Sequence, residues 1–174
     1  MFYKCSKLHS FDGDLLGKLD DGRYMFYNCT ALTSFYNDMS NLTYGDYMFI
    51  ECTNLKTFGG ELSRLEYGYN MFANCTSLTS FNGNMSSITD GSYMFKGCSK
   101  LNSFDSNFGN LSRLTNGDSM FYGCYNLTSF DIDLSSLTNG TNMFNNCTNL
   151  NIFGGYLNNL ANGSYMFRGC TNLG

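Results

Sequence analysis

Apolar side chains recur along this chain with a fixed spacing. The pair Met-Phe occurs eight times, and a cysteine follows each methionine by four positions. The repeats begin at Met1, Met25, Met48, Met71, Met94, Met120, Met143 and Met166. Their length is 23 residues, apart from one repeat of 24 and one of 26. Self-similarity at this period predicts a repeat architecture.

Each repeat carries seven apolar columns. After the cysteine, a leucine follows at the third position and a second phenylalanine three further on, as in Leu32 and Phe35. Two more apolar residues follow, three positions apart from each other, as in Met39 and Leu42. Because one short unit cannot bury seven apolar side chains alone, copies must stack with like residues over like. The pattern predicts a repeat solenoid, a leucine-rich-repeat-like right-handed coil with short parallel strands, one per 23-residue repeat.

The columns also predict local structure. We expect a parallel strand around the leucine and the second phenylalanine, for example from Leu32 to Tyr36, and then a coiled or 3₁₀-like segment. The spacing of Met and Cys is compatible with one helical turn. A glycine three positions after the last apolar column predicts a turn with positive φ. That column contains Gly22, Gly45, Gly68, Gly91, Gly117, Gly140 and Gly163.

The repeats predict one domain over residues 1–174, with seven full repeats and a truncated eighth. A three-residue insertion falls between Phe104 and Leu111 and contains Phe108. Both ends leave a cross-section of the apolar core without the polar cap that solenoids normally carry. We therefore expect the chain to be part of a longer protein or assembly.

Charge narrows the classes of partner. Only 14% of the residues are charged, and the formal net charge is −4 without a cluster of Lys or Arg. Nucleic-acid binding needs a basic surface that displaces counterions, so we expect none. No apolar run is long enough to span a bilayer, so we expect no direct membrane insertion.

The motif GxxMFxxCxxLxxF resembles the BspA-like leucine-rich repeats. It is also similar to the bacterial surface-protein repeat of about 26 residues with the MFxxC motif, of which this would be a short 23-residue variant. The resemblance covers the whole chain and extends to repeats in phage structural proteins. It implies adhesins, surface lipoproteins and phage structural or receptor-binding proteins, and an extracellular, cell-surface or virion-associated location. It implies no catalytic residue.

The candidate chemistry of cysteine and histidine is weak. In an in-register ladder all eight thiols point the same way, which disfavours disulfides, and no CxxC pair supplies a zinc site. The ladder is interpreted as buried free thiols that act as small apolar side chains. His9 has no catalytic or metal-binding partner in the pattern and is interpreted as a solvent-facing strand residue. We expect no cofactor.

Acidic residues form partial columns after the second phenylalanine. Stacked carboxylates could hold Ca²⁺, or a pair could serve glycoside hydrolysis, but the pattern favours a solvated loop edge where like charges limit aggregation. A catalytic pair should also break the repeat, and these acids recur with it. The two columns contain Asp14, Asp38, Glu61, Asn84, Asn107, Asp133 and Tyr156, and then Asp12, Asp105 and Asp131.

Two sets of residues are candidates for a binding face. The first set varies between repeats at the second position after cysteine, which we place in the strand. It contains Lys7, Ala31, Asn54, Ser77, Lys100, Asn126 and Asn149. The second set is a column of tyrosines that precede the methionines and could form a recognition surface or cover the edge of the core. It contains Tyr24, Tyr47, Tyr93 and Tyr165.

The sequence favours a non-enzymatic scaffold for protein or glycan binding, as a surface adhesion or receptor-binding module. The alternative is a structural spacer or a self-assembling filament or virion element, with end-to-end self-association. A carbohydrate-active hydrolase is a remote alternative.

Overall fold

The computed structural model describes residues 1–104 and 108–174, apart from the side chain of Leu15, and shows a solenoid of stacked coils. A 3₁₀ helix spans Asp14–Lys18 in the first coil, where the coiled segment was predicted. The strands are β1 (Ser34–Phe35), β2 (Thr57–Phe58), β3 (Ser80–Phe81), β4 (Ser129–Phe130) and β5 (Ile152–Phe153). They form two parallel sheets in the orders β1-β2-β3 and β4-β5. Where strands form they lie in the expected place, but they contain two residues each, and none forms in the first repeat or in the described part of the fifth.

Strand register places equivalent residues of successive repeats side by side. Phe35 pairs with Phe58, and Phe58 pairs with Phe81. These rings point inward and are 1% exposed, whereas the preceding Ser or Thr points outward. This alternation is the two-residue period of a strand with one buried face. The stacking of like over like is confirmed.

Two columns of phenylalanine rings form the centre of the core. In the first, Phe26, Phe49 and Phe72 stack with centroids 5.2 and 5.3 Å apart and nearly parallel planes. The second column meets the first edge to face, as Phe35 does with Phe49 at 4.8 Å and 69°. Offset stacks and edge-to-face pairs are the favourable geometries for aromatic rings, so each ring interacts both along and across the coils.

A second parallel ladder, which the sequence analysis did not predict, runs through the residue before each column glycine. It contains Asp21, Tyr44, Tyr67, Asp90, Asn116, Asn139 and Asn162. The Gly45 amide donates to the Tyr67 carbonyl at 2.8 Å, and the Tyr44 amide donates to Asp20 at 3.1 Å. Each coil is thus hydrogen-bonded to both neighbours at this corner as well as at the strand.

The Met-Phe-x-x-Cys segment is not a helical turn, so that prediction was wrong. The Met25 and Cys29 amides donate to carbonyls three residues earlier, at 3.0 and 3.1 Å. Left-handed residues at Tyr24 and Asn28, with φ of 59° and 53°, interrupt any helix. The Phe26 amide between them donates to Met48 of the next coil at 2.9 Å. Bonding between coils therefore replaces bonding within a helix.

The column glycines do not have positive φ, and that prediction was also wrong. A Cβ on Gly45 would lie 2.8 Å from the Met71 Sδ and 3.0 Å from Leu65 Cδ1, both in the next coil. The other internal members of the column face equivalent side chains. Glycine is present because the buried methionine of the following coil passes directly over its Cα.

The insertion interrupts the strand side of the solenoid. Phe108 is 1% exposed, and its ring meets Phe81 edge to face at 5.9 Å. Its carbonyl accepts a hydrogen bond from the Met85 amide at 2.9 Å. Within the part of this coil that the structure describes, no strand forms between β3 and β4, which divides the sheet in two. Residues 105–107 lie outside the described part.

The cysteines are free thiols, as predicted, and the six internal ones are buried. Each thiol from Cys29 onward donates to a phenylalanine carbonyl of the preceding coil, as Cys75 does to Phe49 at 3.2 Å. Burial raises the pKa of Cys52 and of Cys147 to about 12, and that of Cys98 still further. These thiols therefore stay protonated near neutral pH and link adjacent coils.

Replacing Gly45 by Ala should destabilise the protein by about 1–3 kcal/mol, because the new methyl group collides with Met71 in a filled core. A double-mutant cycle with Met71→Leu, followed by urea unfolding, separates packing from backbone strain. Packing predicts that the double variant loses less stability than the sum of the single variants. Strict additivity would contradict this explanation.

The buried thiols should make stability fall in alkali. Their pKa is higher in the folded chain than in the unfolded chain, so the stabilisation is complete below about pH 9 and is lost as pH rises toward the folded pKa. Urea midpoints measured in reductant from pH 8 to 11 should decrease. Cys98→Ala should show a smaller decrease, since it contains one such thiol fewer, and an identical slope would refute this origin.

Candidate functional site

Four tyrosines occupy a left-handed backbone position immediately before the repeat methionine. Tyr24, Tyr47, Tyr93 and Tyr165 have φ of 58–59°, a region that side chains with a Cβ adopt at a cost. The rings of Tyr24 and Tyr47 stack with centroids 4.7 Å apart and planes within 9°. Tyr24 is 45% exposed and Tyr165 64%, while Tyr47 and Tyr93 are half-buried. The column therefore faces solvent.

One further tyrosine, which the sequence pattern did not reveal, lies between members of this column. Together with three of them it forms a row of four adjacent rings. In the coil where Asn70 occupies the left-handed position, Tyr69 precedes it and meets Tyr47 edge to face at 5.3 Å. Tyr69 meets Tyr93 in the same way at 5.6 Å. We call Tyr24, Tyr47, Tyr69 and Tyr93 the tyrosine row. The missed signal was an aromatic residue displaced by one position within an otherwise regular column.

The chain's own cations lie over tyrosine rings. The Lys96 Nζ is 5.1 Å from the Tyr93 ring centre and 5.5 Å from that of Tyr122. The Arg23 guanidinium lies 5.6 Å from the ring centre of Tyr44. Lys4 and Arg168 make similar contacts with tyrosines in the first and last coils. These rings attract positive charge through their π faces.

The second candidate set does not lie in strands, which corrects its predicted placement. Its residues lie in the segment between the cysteine and the leucine, ahead of each strand. Ala31 and Ser77 are half-buried and the rest of the set is exposed. The Asn54 amide group donates to the Thr30 carbonyl at 2.7 Å. Among the described residues, no hydrogen bond or ring contact joins this set to the tyrosine row.

Two carboxylates of the acidic columns bind the backbone of their own coil. Carboxylate oxygens of Asp38 and Asp133 accept hydrogen bonds from the amides of Ser40 and Ser135, both at 2.8 Å. The bond from Ser40 lowers the pKa of Asp38. In the part of the chain that the structure describes, no three His, Cys, Asp or Glu residues converge as metal ligands. Two residues of these columns, Asp105 and Asn107, lie outside that part.

His9 is exposed, but no strand forms around it, in contrast to the predicted placement. Its carbonyl accepts a hydrogen bond from the Thr33 amide of the next coil at 3.3 Å. Across the described ranges, no helix has the length and apolar character needed to cross a membrane.

One solved structure shares the fold, and a second shows a weaker likeness. A leucine rich cell surface protein from Faecalibacterium prausnitzii A2-165 matches with a TM-score of 0.55 and 22% identity, over 76% of this chain and 44% of that one. A leucine rich repeat protein from T. pallidum matches with a TM-score of 0.46 and 19% identity, over 76% and 73% of the two chains. This chain thus spans less than half of the F. prausnitzii structure. A search of the curated proteins gives no significant match.

A family model settles the relationship. The model of the BspA type leucine rich repeat region matches in six copies, over residues 1–102, 22–151 and 68–174. These matches cover the whole chain and follow the same repeats that build the coils. The chain therefore belongs to the family of the BspA type leucine rich repeat region.

Proposed function

We propose that this chain is a non-enzymatic binding module and that the tyrosine row contacts a protein or glycan ligand. The observation that carries this proposal is the placement of bulky tyrosines at a left-handed backbone position. Asn70 and Asn142 occupy the same position in other coils with φ of 54°. Asparagine tolerates this conformation far better than an aromatic residue does. The fold therefore does not require tyrosine there.

The chemistry of the row suits recognition. Tyrosine offers a large, rigid contact area together with a hydroxyl group, and it loses little conformational entropy on binding. The stacked pair of Tyr24 and Tyr47 limits ring motion further, so the surface is organised before a ligand arrives. The neighbouring Lys96 adds a positive charge at one end of the row. A tyrosine surface with few charges favours a ligand bound through hydrogen bonds and apolar contact.

We also propose that the module acts at a cell surface. The similar protein from F. prausnitzii is described as a leucine rich cell surface protein, and this chain belongs to a family of leucine-rich repeats. The set that varies between repeats, most of which is exposed, would extend the contact area or face a second ligand; it contains Lys7, Ala31, Asn54, Ser77, Lys100, Asn126 and Asn149. End-to-end self-association, the spacer function and hydrolase activity stay predictions that a mass measurement and a hydrolysis screen would test.

Replacing Tyr24, Tyr47 and Tyr93 together by Asn should remove binding without unfolding the chain. Asparagine relieves backbone strain at each position and thus offsets the lost ring contacts, so we expect Tm to change by less than about 5 °C. Ligands identified for the wild type on a glycan array and in a display library of extracellular protein domains should bind at least about tenfold more weakly. Calorimetry measures the Tm, and surface plasmon resonance measures the affinity for the ligand.

The matched control is Tyr156→Asn, which removes an exposed tyrosine outside the row. It should leave both Tm and ligand binding unchanged. A large loss of stability in the triple variant, with binding retained by its folded fraction, would show instead that the rings cover the core. Absence of any ligand both on the glycan array and in the display library would count against the binding function itself.

A further inference from the structure

A ridge of two tyrosines stands on the second parallel ladder, apart from the tyrosine row. Tyr44 and Tyr67 are bridged neighbours whose rings stack with centroids 5.2 Å apart and planes within 6°. They are 39% and 40% exposed. The ladder continues from Tyr44 to Asp21 on one side and from Tyr67 to Asp90 on the other. Because aspartate is much shorter than tyrosine, a recess lies on each side of the ridge, between a tyrosine ring and a carboxylate group. We call each recess a step, with the ring as its wall and the carboxylate as its floor.

The first step, between Tyr44 and Asp21, is occupied by the chain's own Arg23. Arg23 donates from its terminal nitrogen to Asp21 Oδ2 at 2.6 Å and from Nε to Oδ1 at 3.0 Å. Its guanidinium also lies 5.6 Å from the ring centre of Tyr44. The hydrogen bond from Arg23 lowers the pKa of the Asp21 carboxyl group. Aromatic wall, carboxylate floor and guanidinium thus form one arrangement.

The second step has the same wall and floor but a serine where the first has an arginine. Arg23 follows Asp21 by two residues, and the residue two positions after Asp90 is Ser92. Asp90 Oδ1 accepts hydrogen bonds from the Ser92 amide and hydroxyl at 2.9 and 2.6 Å. Asp90 Oδ2 accepts one from the Asn116 side chain at 3.2 Å. A carboxylate oxygen has two lone pairs, so Oδ2 can accept a further bond.

The charges around the second step favour a cation. Burial raises the pKa of the nearby Asp46, while the hydrogen bond from the Tyr69 amide and the charge of Arg23 oppose this. Repulsion from Asp90 and Asp21 raises it further, so these carboxylates interact electrostatically. An added positive charge near Asp90 would relieve that repulsion.

We infer that the step formed by Tyr67 and Asp90 binds an arginine side chain of a protein partner. The guanidinium would lie over the open face of Tyr67 and donate to Asp90 Oδ2, as Arg23 does with Tyr44 and Asp21. A planar guanidinium suits this position better than an ammonium because it can lie over the ring while it donates in its own plane. The site is independent of the tyrosine row, so either proposal can fail alone.

The probe is a blocked tetra-arginine peptide, titrated into isotope-labelled protein and followed by NMR. We expect saturable shifts at Tyr67, Asp90 and Ser92, and much weaker shifts with the uncharged citrulline analogue. Asp90→Asn and Tyr67→Asn should each weaken peptide binding by about two- to fivefold. Both variants should fold, because Asn116 and Asn139 occupy the same column. The control Glu61→Gln removes an equal charge elsewhere and should leave binding unchanged.

Arg23→Ala provides a second, positive test. It empties the first step, so the peptide should then occupy two sites, with new shifts at Tyr44 and Asp21. Equal binding of the citrulline peptide would overturn the inference, since no cation would be recognised. Equal weakening by Glu61→Gln would also overturn it, because general charge attraction would then explain the binding. Loss of glycan or protein binding in the tyrosine-row variants does not affect either outcome.

Discussion

Each coil depends on its neighbours because it cannot satisfy its own backbone or bury its own apolar residues. The Phe26 amide donates forward to Met48, while the Gly59 amide donates back to Phe35 at 2.8 Å. Hydrogen bonds therefore run in both directions along the solenoid, and they fix the register that places ring over ring. The described coils share one core, since the inner phenylalanines, such as Phe49, are buried by the rings of the coils on either side.

The polar columns also depend on contacts between neighbouring coils. Asn116 and Asn139 are joined side chain to side chain at 3.0 Å, and each also accepts a bond from the amide two residues later. Short polar side chains thus complete the corner that the second ladder forms. Hydrogen bonds along the solenoid axis therefore order the surface of a protein with few charged residues. Ion pairs contribute little, since the described residues contain only the pair of Arg23 with Asp21.

Periodicity alone was enough to predict the solenoid, the buried columns and the position of the strands. It could not predict contacts between coils at atomic scale. The glycine column looks like a turn signal in sequence, but Gly45 is required by Met71, a residue 26 positions later. Asn28 has left-handed geometry because the amides of the Met-Phe corner donate hydrogen bonds to carbonyls of the next coil. For the candidate surface, Tyr24 and Tyr47 were predictable from their column, whereas the contact of Tyr69 with Tyr47 and the ridge of Tyr44 and Tyr67 appear only when the coils are stacked.

The extra residues between Phe104 and Leu111 show where such a scaffold can change its length. On the opposite corner the contacts between coils survive, since Cys124 still donates to Phe95 at 3.2 Å and Met120 still covers Gly91. The Met-Phe corner therefore keeps the coils in register, while the loop after the strand can lengthen. A family built on this plan can acquire new shapes at that loop, coil by coil, without losing the alignment of its interior.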